Sequence, residues 1–431
     1  MNTTTFARLA RIKPLDAILA TARQNSLHRS LGAWQLTLLG IGGVIGTGIF
    51  VLTAEATQKA GPGMLVSFII SGAVCAVAAL CYSEVAAMVP VAGSAYTYTY
   101  TVMGELLAWL VGWALVLEYA VSASAVSVGW AGYFAGQLQG WFGVHLPIAL
   151  SHGPFEGGVI NLPAVCISLL VTGLLIVGTT ESARVNAVLV GIKVVALIVF
   201  VALALPAMRS ENFEPFTPLG WASGDGAGVI GAAASIFFAY VGFDAVSTAA
   251  EETKNPQRNV PLGLMGSLAI CTVFYILVAA GTIGSPLGAQ PVMSAAGEWL
   301  PPGSIEFAQR CAALSADGVP LPLACSHEAL AYVMREIGYL KIGNLIGLVA
   351  FLALPSVILV MIYGQTRMFF VMSRDGLLPK RFSKVHPRWQ TPHVITAVTG
   401  IGVTLAAAFF TYFRRFSRSS REFIFFALKS L

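Results

Sequence analysis

Nine stretches of the chain stay apolar for roughly 20 residues or more, and polar residues gather in the gaps between them. A bilayer core needs about 20 consecutive apolar residues per helix. The stretches near 35–56, 63–88, 106–130, 158–178, 186–207, 228–250, 262–283, 343–371 and 392–412 therefore predict membrane spans 1 to 9. Most of the connecting gaps are short. The longest, about 284–342, is rich in Pro, Ser, Ala and Gly and contains Pro301-Pro302-Gly303. Its far end, 328–340, reads as a short amphipathic helix lying on the surface, and 14–29 reads as another on the inner face.

The first span interrupts its own pattern. Residues 40–50 carry Gly40, Gly42, Gly43, Gly46 and Gly48. Each glycine costs up to about 1 kcal/mol against alanine in a helix interior. A pair such as Gly42 and Gly46 suits close helix packing, but packing alone does not need five. That density predicts an unwound segment, and bare backbone inside a membrane is tolerated only where it faces protein, a cavity or a ligand. Span 6 offers a companion in Ser235-Ile236-Phe237-Phe238-Ala239-Tyr240-Val241-Gly242-Phe243. If the repeat unit is five spans, span 6 corresponds to span 1. Two opposed half-helices would aim N–H dipoles at a carboxylate and carbonyls at an ammonium, which suits a zwitterion. The glycine run is no dinucleotide fingerprint, because no strand–turn–helix context surrounds it.

Composition agrees with this pattern. The chain is 56% hydrophobic and 10% charged, against about 25% charged residues in soluble domains. This is an all-α polytopic membrane protein with no soluble domain. Basic residues orient it. Arg8, Arg11, Lys13, Arg23 and Arg29 precede span 1, Lys254 and Arg258 follow span 6, and Arg374, Lys380, Arg381, Lys384 and Arg388 follow span 8. All lie on one side if the N-terminus is cytoplasmic, whereas the opposite loops hold only Lys59 and Arg209 near the membrane. The first 30 residues lack an apolar core of signal-peptide type. The expected location is the inner cell membrane. Cys75, Cys81, Cys166 and Cys271 lie in spans and read as small core residues. Cys311 and Cys325 share the external loop, where pairing and free thiols both remain open.

Ionisable groups inside spans are costly and usually face a cavity or a partner. Glu118 sits in the middle of span 3, Lys193 in span 5 and Asp244 in the inner half of span 6. An internal salt bridge or a snorkelling lysine is the plainer reading of such groups. Asp244 reads as a structural helix-end or pairing residue. A membrane enzyme is disfavoured, since none of the six histidines lies deep in a span and no His-Glu-x-x-His occurs. No metal site and no cofactor are expected. A simple channel would not need a broken helix in each of two repeats.

Four stretches together carry a family resemblance: Ile41 to Phe50; Gly93-Ser94-Ala95-Tyr96-Thr97-Tyr98 with Gly104-Glu105, Gly112-Trp113 and Leu117-Glu118-Tyr119; Phe238 to Asp244 with Glu251-Glu252-Thr253-Lys254-Asn255-Pro256-Gln257-Arg258; and Gly364-Gln365-Thr366-Arg367 with Ser373-Arg374-Asp375-Gly376-Leu377-Leu378-Pro379. The sequence resembles the amino acid–polyamine–organocation superfamily and, within it, the cationic amino acid transporters. The resemblance implies a five-plus-five inverted-repeat fold and secondary active transport of neutral or cationic amino acids, with a proton as coupling ion. It places substrate beside Ile41, Gly42, Gly43, Val44, Gly46 and Thr47 of span 1 and beside Phe238, Ala239, Tyr240 and Gly242 of span 6. Gly42, Gly43, Val44 and Gly46 would face the carboxylate, and 238–242 the amine. Glu118 resembles the span-3 residue near the side-chain pocket. Lys193 resembles the span-5 lysine that stands in for a sodium ion and carries the coupling proton. Desolvation between helices is the physical route by which a lysine releases a proton at ordinary pH. The expected partners are an amino acid, a proton and the lipid bilayer, with no nucleic acid; any accessory subunit is not readable.

The resemblance holds to about residue 410 and then gives way to Thr411-Tyr412-Phe413-Arg414-Arg415-Phe416-Ser417-Arg418. Five basic residues beyond span 9 also break the charge pattern. The expectation is an interrupted or shortened gene product with an incomplete second repeat. The alternative function is then a transport-inactive fragment. The domain reading is a cytoplasmic segment 1–30, a transporter unit 31–412 and an atypical basic tail 413–431.

Overall fold

The computed structural model describes residue 12 and residues 31–89, 94–154, 158–177, 182–223, 225–250, 253–316, 320–326, 328–387, 389 and 391–409. The expected inner-face helix 14–29 and the basic tail 413–431 lie outside these residues. No strand occurs among the described residues, only two isolated bridges. Among the described residues, every stretch read as a span is largely helical. Leu52–Met88, Glu105–Phe142, Ala187–Ala204, Pro256–Ile283 and Leu340–Arg374 are long and apolar enough to cross a membrane. Ala33–Val44, Leu162–Val177, Gly228–Tyr240 and His393–Phe409 are shorter apolar helices.

The residue distribution suits lipid rather than water. Val77, Leu80, Leu117, Leu174, Val195 and Val273 point outward and are more than half exposed. Serines and threonines are instead turned inward, where many bond carbonyls of their own helix, as Thr53 does to Ile49 at 2.6 Å and Thr172 to Ser168 at 2.7 Å. Others link spans: Ser71 Oγ donates to the Ala233 carbonyl at 2.7 Å, and Ser168 Oγ to Ser127 Oγ at 2.9 Å. In hydrocarbon a hydroxyl must find such a partner within the protein.

The broken spans 1 and 6 stand at the centre of the bundle. Span 7 packs along the first half of span 1, Ala33–Val44, and along span 2. Span 8 packs along span 3, where Gln365 Nε2 donates to the Val116 carbonyl at 3.1 Å and Trp130 Nε1 to the Phe351 carbonyl at 2.7 Å. Spans 4 and 9 pair at one side. Among the short helices not foreseen are Ser94–Val102 between spans 2 and 3, and Ile305–Ala316 in the long loop between spans 7 and 8. The helix expected on the surface at 328–340 forms over Ala329–Glu336, but Leu330, Val333 and Met334 are buried and it packs against span 8.

Candidate functional site: two broken helices around a cavity

The helix Ala33–Val44 stops at the glycine run. Ile45 has ψ 94° and Gly46 has φ −144°, ψ −142°, and helix resumes at Thr47. In span 6 the helix Gly228–Ile236 tightens to a 3₁₀ turn over Phe237–Tyr240 and then breaks. Val241 has ψ 135°, Gly242 has φ +110°, and a last turn forms over Ala245–Thr248. The two breaks touch. A Cβ on Gly43 would lie 3.1 Å from the Gly242 carbonyl oxygen, and one on Gly48 would lie 2.5 Å from Ala239 Cα. Glycine is needed at these positions for approach rather than for flexibility.

Breaking a helix leaves carbonyls and N–H groups without intrahelical partners. Side chains from other spans take up several of the carbonyls. Lys193, fully buried on span 5, donates from Nζ to the Ile45 carbonyl at 2.9 Å, to Ser356 Oγ of span 8 at 2.9 Å and to the Gly42 carbonyl at 3.4 Å. None of these partners is a carboxylate. Tyr275 of span 7 places its hydroxyl 2.8 Å from the carbonyls of both Val44 and Ala239. On the other side of its break, span 1 resumes at Thr47; the Ile49 and Phe50 N–H groups donate to the Gly46 carbonyl at 3.3 Å each, which leaves the N–H groups of Thr47 and Gly48 ahead of the first turn.

A cavity of about 40 Å³ sits between the breaks, lined by Gly43, Val44, Gly46, Thr47, Gly48 and Leu52 of span 1 and Phe238, Ala239 and Val241 of span 6. Ser122, Ala125 and Val126 of span 3 and Val357 and Met361 of span 8 close it. That volume is close to one water's share of the liquid, about 30 Å³, so the walls must part to admit an amino acid. Of the expected residues, Gly43, Val44, Gly46, Thr47, Phe238 and Ala239 meet at this cavity. Ile41, Gly42, Tyr240 and Gly242 stand behind it: Gly42 turns its carbonyl to Lys193, Tyr240 donates from its hydroxyl to the Phe68 carbonyl at 3.1 Å, and Gly242 backs onto Gly43. Lys193 braces the wall without lining it.

Glu118 does not line the cavity either. Span 3 reaches the cavity at Ser122, one helical turn further on, which is about 6 Å along the axis. Glu118 instead lies within electrostatic reach of Asp244, whose carboxylate accepts a hydrogen bond from the Tyr119 hydroxyl. Asp244 thus ties span 6, just past its break, to span 3. Ser122, Val357, Met361, Ser356 and Tyr275 were not anticipated. Gly48 lay inside the glycine run, and Pro355 was the one local signal near Ser356.

Further along span 1, Gln58 ties the span to the long loop between spans 7 and 8. Its Nε2 donates to the Val292 and Leu300 carbonyls at 2.8 Å each, its Oε1 accepts from the Val292 N–H at 2.7 Å, and Trp299 Nε1 donates to its carbonyl at 2.8 Å. Lys59 is buried, paired with Glu55 at 2.8 Å and bonded to Ser235 of span 6. Neutralised in this way, Lys59 weighs little in the charge pattern. Cys311 and Cys325 form a disulfide in the same loop. Glu328 pairs with Arg335 at 2.5 Å.

Comparison with known proteins agrees with this geometry. The amino acid permease family model matches residues 31–427, and the chain belongs to that family. It is 45% identical over 387 residues to the branched-chain amino acid permease BcaP of Bacillus subtilis (strain 168), covering 88% of this chain and 75% of that protein. It is 41% identical over 407 residues to the methylthioribose transporter of the same organism, covering 94% and 80%. A chloroplastic cationic amino acid transporter 9 of Arabidopsis thaliana is 35% identical over 84% of this chain and 58% of its own length. Among solved structures, a substrate-bound Na⁺-coupled sialic acid symporter aligns with TM-score 0.57 at 13% identity over 91% of this chain and 78% of that one. MhsT in complex with L-phenylalanine aligns with TM-score 0.56 at 16% identity over 92% and 81%. These likenesses show the fold: the five-plus-five inverted-repeat architecture of membrane transporters. The chain is a multi-pass membrane protein of a transporter family, not an enzyme.

Proposed function

We propose that the chain is a secondary active carrier that moves small neutral amino acids together with a proton. The observation that carries this reading is the paired break around a cavity lined by main chain of both spans and by no ionisable side chain. The N–H groups that begin the second half of span 1 suit a carboxylate, and the carbonyls that end the first half of span 6 suit an ammonium. The remaining walls are Leu52, Val126, Phe238, Val357 and Met361, which favour an apolar side chain. A cationic substrate is the second reading, supported by Glu118 one turn beyond Ser122.

Coupling is proposed to run through Lys193. Its ammonium sits among two carbonyls and a hydroxyl, a donor set that would suit a monovalent metal ion. A fixed ammonium there does the electrostatic work of a bound sodium ion and links spans 1, 5 and 8. Loss of its proton on the inner side would release the Ile45 and Gly42 carbonyls and loosen that link. Proton and substrate then move in the same direction. The proposed orientation puts the N-terminus in the cytoplasm of a cell with this protein in its inner membrane. It is supported by the basic loops after spans 6 and 8 and by the disulfide in the loop opposite. The proposed transporter unit is 31–412, flanked by 1–30 and 413–431.

Counterflow in liposomes tests this. Saturable exchange of labelled alanine in Na⁺-free buffer is expected, with net uptake driven by an inward proton gradient, and little exchange of lysine or arginine. A requirement for Na⁺ would overturn the coupling, preference for lysine would overturn the substrate class, and unsaturable flux would favour a channel.

A further inference from the structure

Tyr275 is fully buried on span 7 and belongs to neither broken span, yet its hydroxyl reaches both. It lies 2.8 Å from the Val44 carbonyl at the end of the first half of span 1. It lies equally 2.8 Å from the Ala239 carbonyl at the end of the first half of span 6. Both of these residues line the cavity. A phenol carries one proton and donates one full hydrogen bond, so the two carbonyls share a single donor. The other freed carbonyls of span 1, Gly42 and Ile45, are taken by Lys193. The ring itself is fixed by edge contacts with Phe68 at 5.7 Å and by Tyr240 at 5.1 Å. The hydroxyl is therefore held at one point from which it can reach the two breaks together.

We propose that Tyr275 is a positioning residue for substrate binding: its hydroxyl pins the break of span 1 to the break of span 6, setting the spacing between the two stretches of main chain that meet the substrate's charged ends. This rests on the reading that amino acids bind at the cavity. A residue that acts in this way is felt in apparent affinity. Without the hydroxyl, the contacts of Gly43 with Gly242 and Gly48 with Ala239 remain, but the two freed carbonyls lose the donor they share and the substrate itself must bring them into register.

The test is alanine counterflow in liposomes by wild type and Tyr275→Phe, with KM and Vmax expressed per folded protein. Phenylalanine keeps the ring packing and removes only the donor. The expected result is a KM raised about tenfold, the scale of one buried hydrogen bond, with Vmax little changed. Lower yield or melting temperature with an unchanged KM would mean a packing role and overturn the proposal. Replacement of Tyr275 by 3-fluorotyrosine keeps the shape and strengthens the donor. If the phenylalanine protein does not fold, this variant decides alone: a lowered KM is expected, and an unchanged KM overturns the proposal. Absence of counterflow in the wild type would overturn the amino-acid reading and this inference together, whereas an unchanged KM in a transporting variant overturns only the role of Tyr275.

Discussion

Gly43 and Gly242 meet across the centre of the bundle, each at the point where its helix is broken, with the Gly242 carbonyl oxygen 3.1 Å from where a Gly43 Cβ would be. Gly242 holds φ +110°, a conformation L side chains rarely adopt, and a Cβ there would lie 2.8 Å from Met361 Cε and 3.0 Å from the Gly43 carbonyl. Strain of this kind costs of order 1–3 kcal/mol. Gly242→Ala is therefore expected to lower alanine transport more than about tenfold, since that strain falls on the break of span 6 directly behind the cavity-lining Gly43 and Val241. Helix content by circular dichroism should stay unchanged. Transport within twofold of wild type would contradict the contact's importance.

Lys193→Met keeps the apolar stem of the side chain and removes the charge. The carbonyls of Gly42 and Ile45 and the Ser356 hydroxyl then lose their shared donor. Uptake driven by a pH gradient should fall to background, while exchange of alanine for alanine, which needs no net proton movement, should persist in part. Full pH-driven uptake by the variant would remove Lys193 from the coupling mechanism.

Met361 closes the cavity from span 8 and reaches across to Gly242. Its side chain is unbranched and flexible, so it can yield to a guest. Met361→Ala should admit larger apolar substrates. Competition of labelled alanine uptake by leucine and phenylalanine should strengthen by about tenfold or more, the usual worth of one or two methylenes in an apolar pocket. An unchanged ranking would mean the side chain of the substrate lies elsewhere.

Glu328 offers a stability test outside the membrane. Burial pushes its carboxyl above the ordinary 4.5, while Arg335 pulls it down. The folded state thus holds this proton more tightly than the unfolded state does. The group's contribution to stability is complete below the unfolded value and is lost as pH rises through the raised folded value. Glu328→Gln removes that titration. Melting temperatures of both proteins in detergent, compared between pH 4.5 and neutrality, should show the wild type losing ground to the variant as pH rises. A difference independent of pH, or of opposite sign, would contradict the assignment.

The bilayer made much of this fold legible. A fixed hydrocarbon thickness forces apolar runs of similar length, so the spans stood out before any packing was known. The breaks were legible because five glycines in nine positions have no use in a plain helix, and Lys193 because a charge in a span needs a reason. The face of span 3 was not legible. It is apolar nearly all round, so nothing local tells whether Glu118 or Ser122 meets the cavity, and the two differ by one turn. Tyr275, Ser356, Val357 and Met361 were hidden for another reason: their roles come from contacts with span 1 and span 6 residues far away in sequence. The burial of the helix Ala329–Glu336 follows from its packing against span 8, where Gly343 and Gly347 let the helix come close at Ala331 and Arg335; an isolated amphipathic helix would lie on the surface.

Equilibrium binding of labelled alanine to purified wild type and Gly48→Ala tests the central claim most directly, because the added Cβ would press within 2.6 Å of the Ala239 side chain and 2.5 Å of its Cα, where the two breaks meet. The account predicts one saturable site per wild-type chain and binding weakened about tenfold or more in the variant, the effect of a misfitted contact at the site. Equal binding by the two proteins would contradict it.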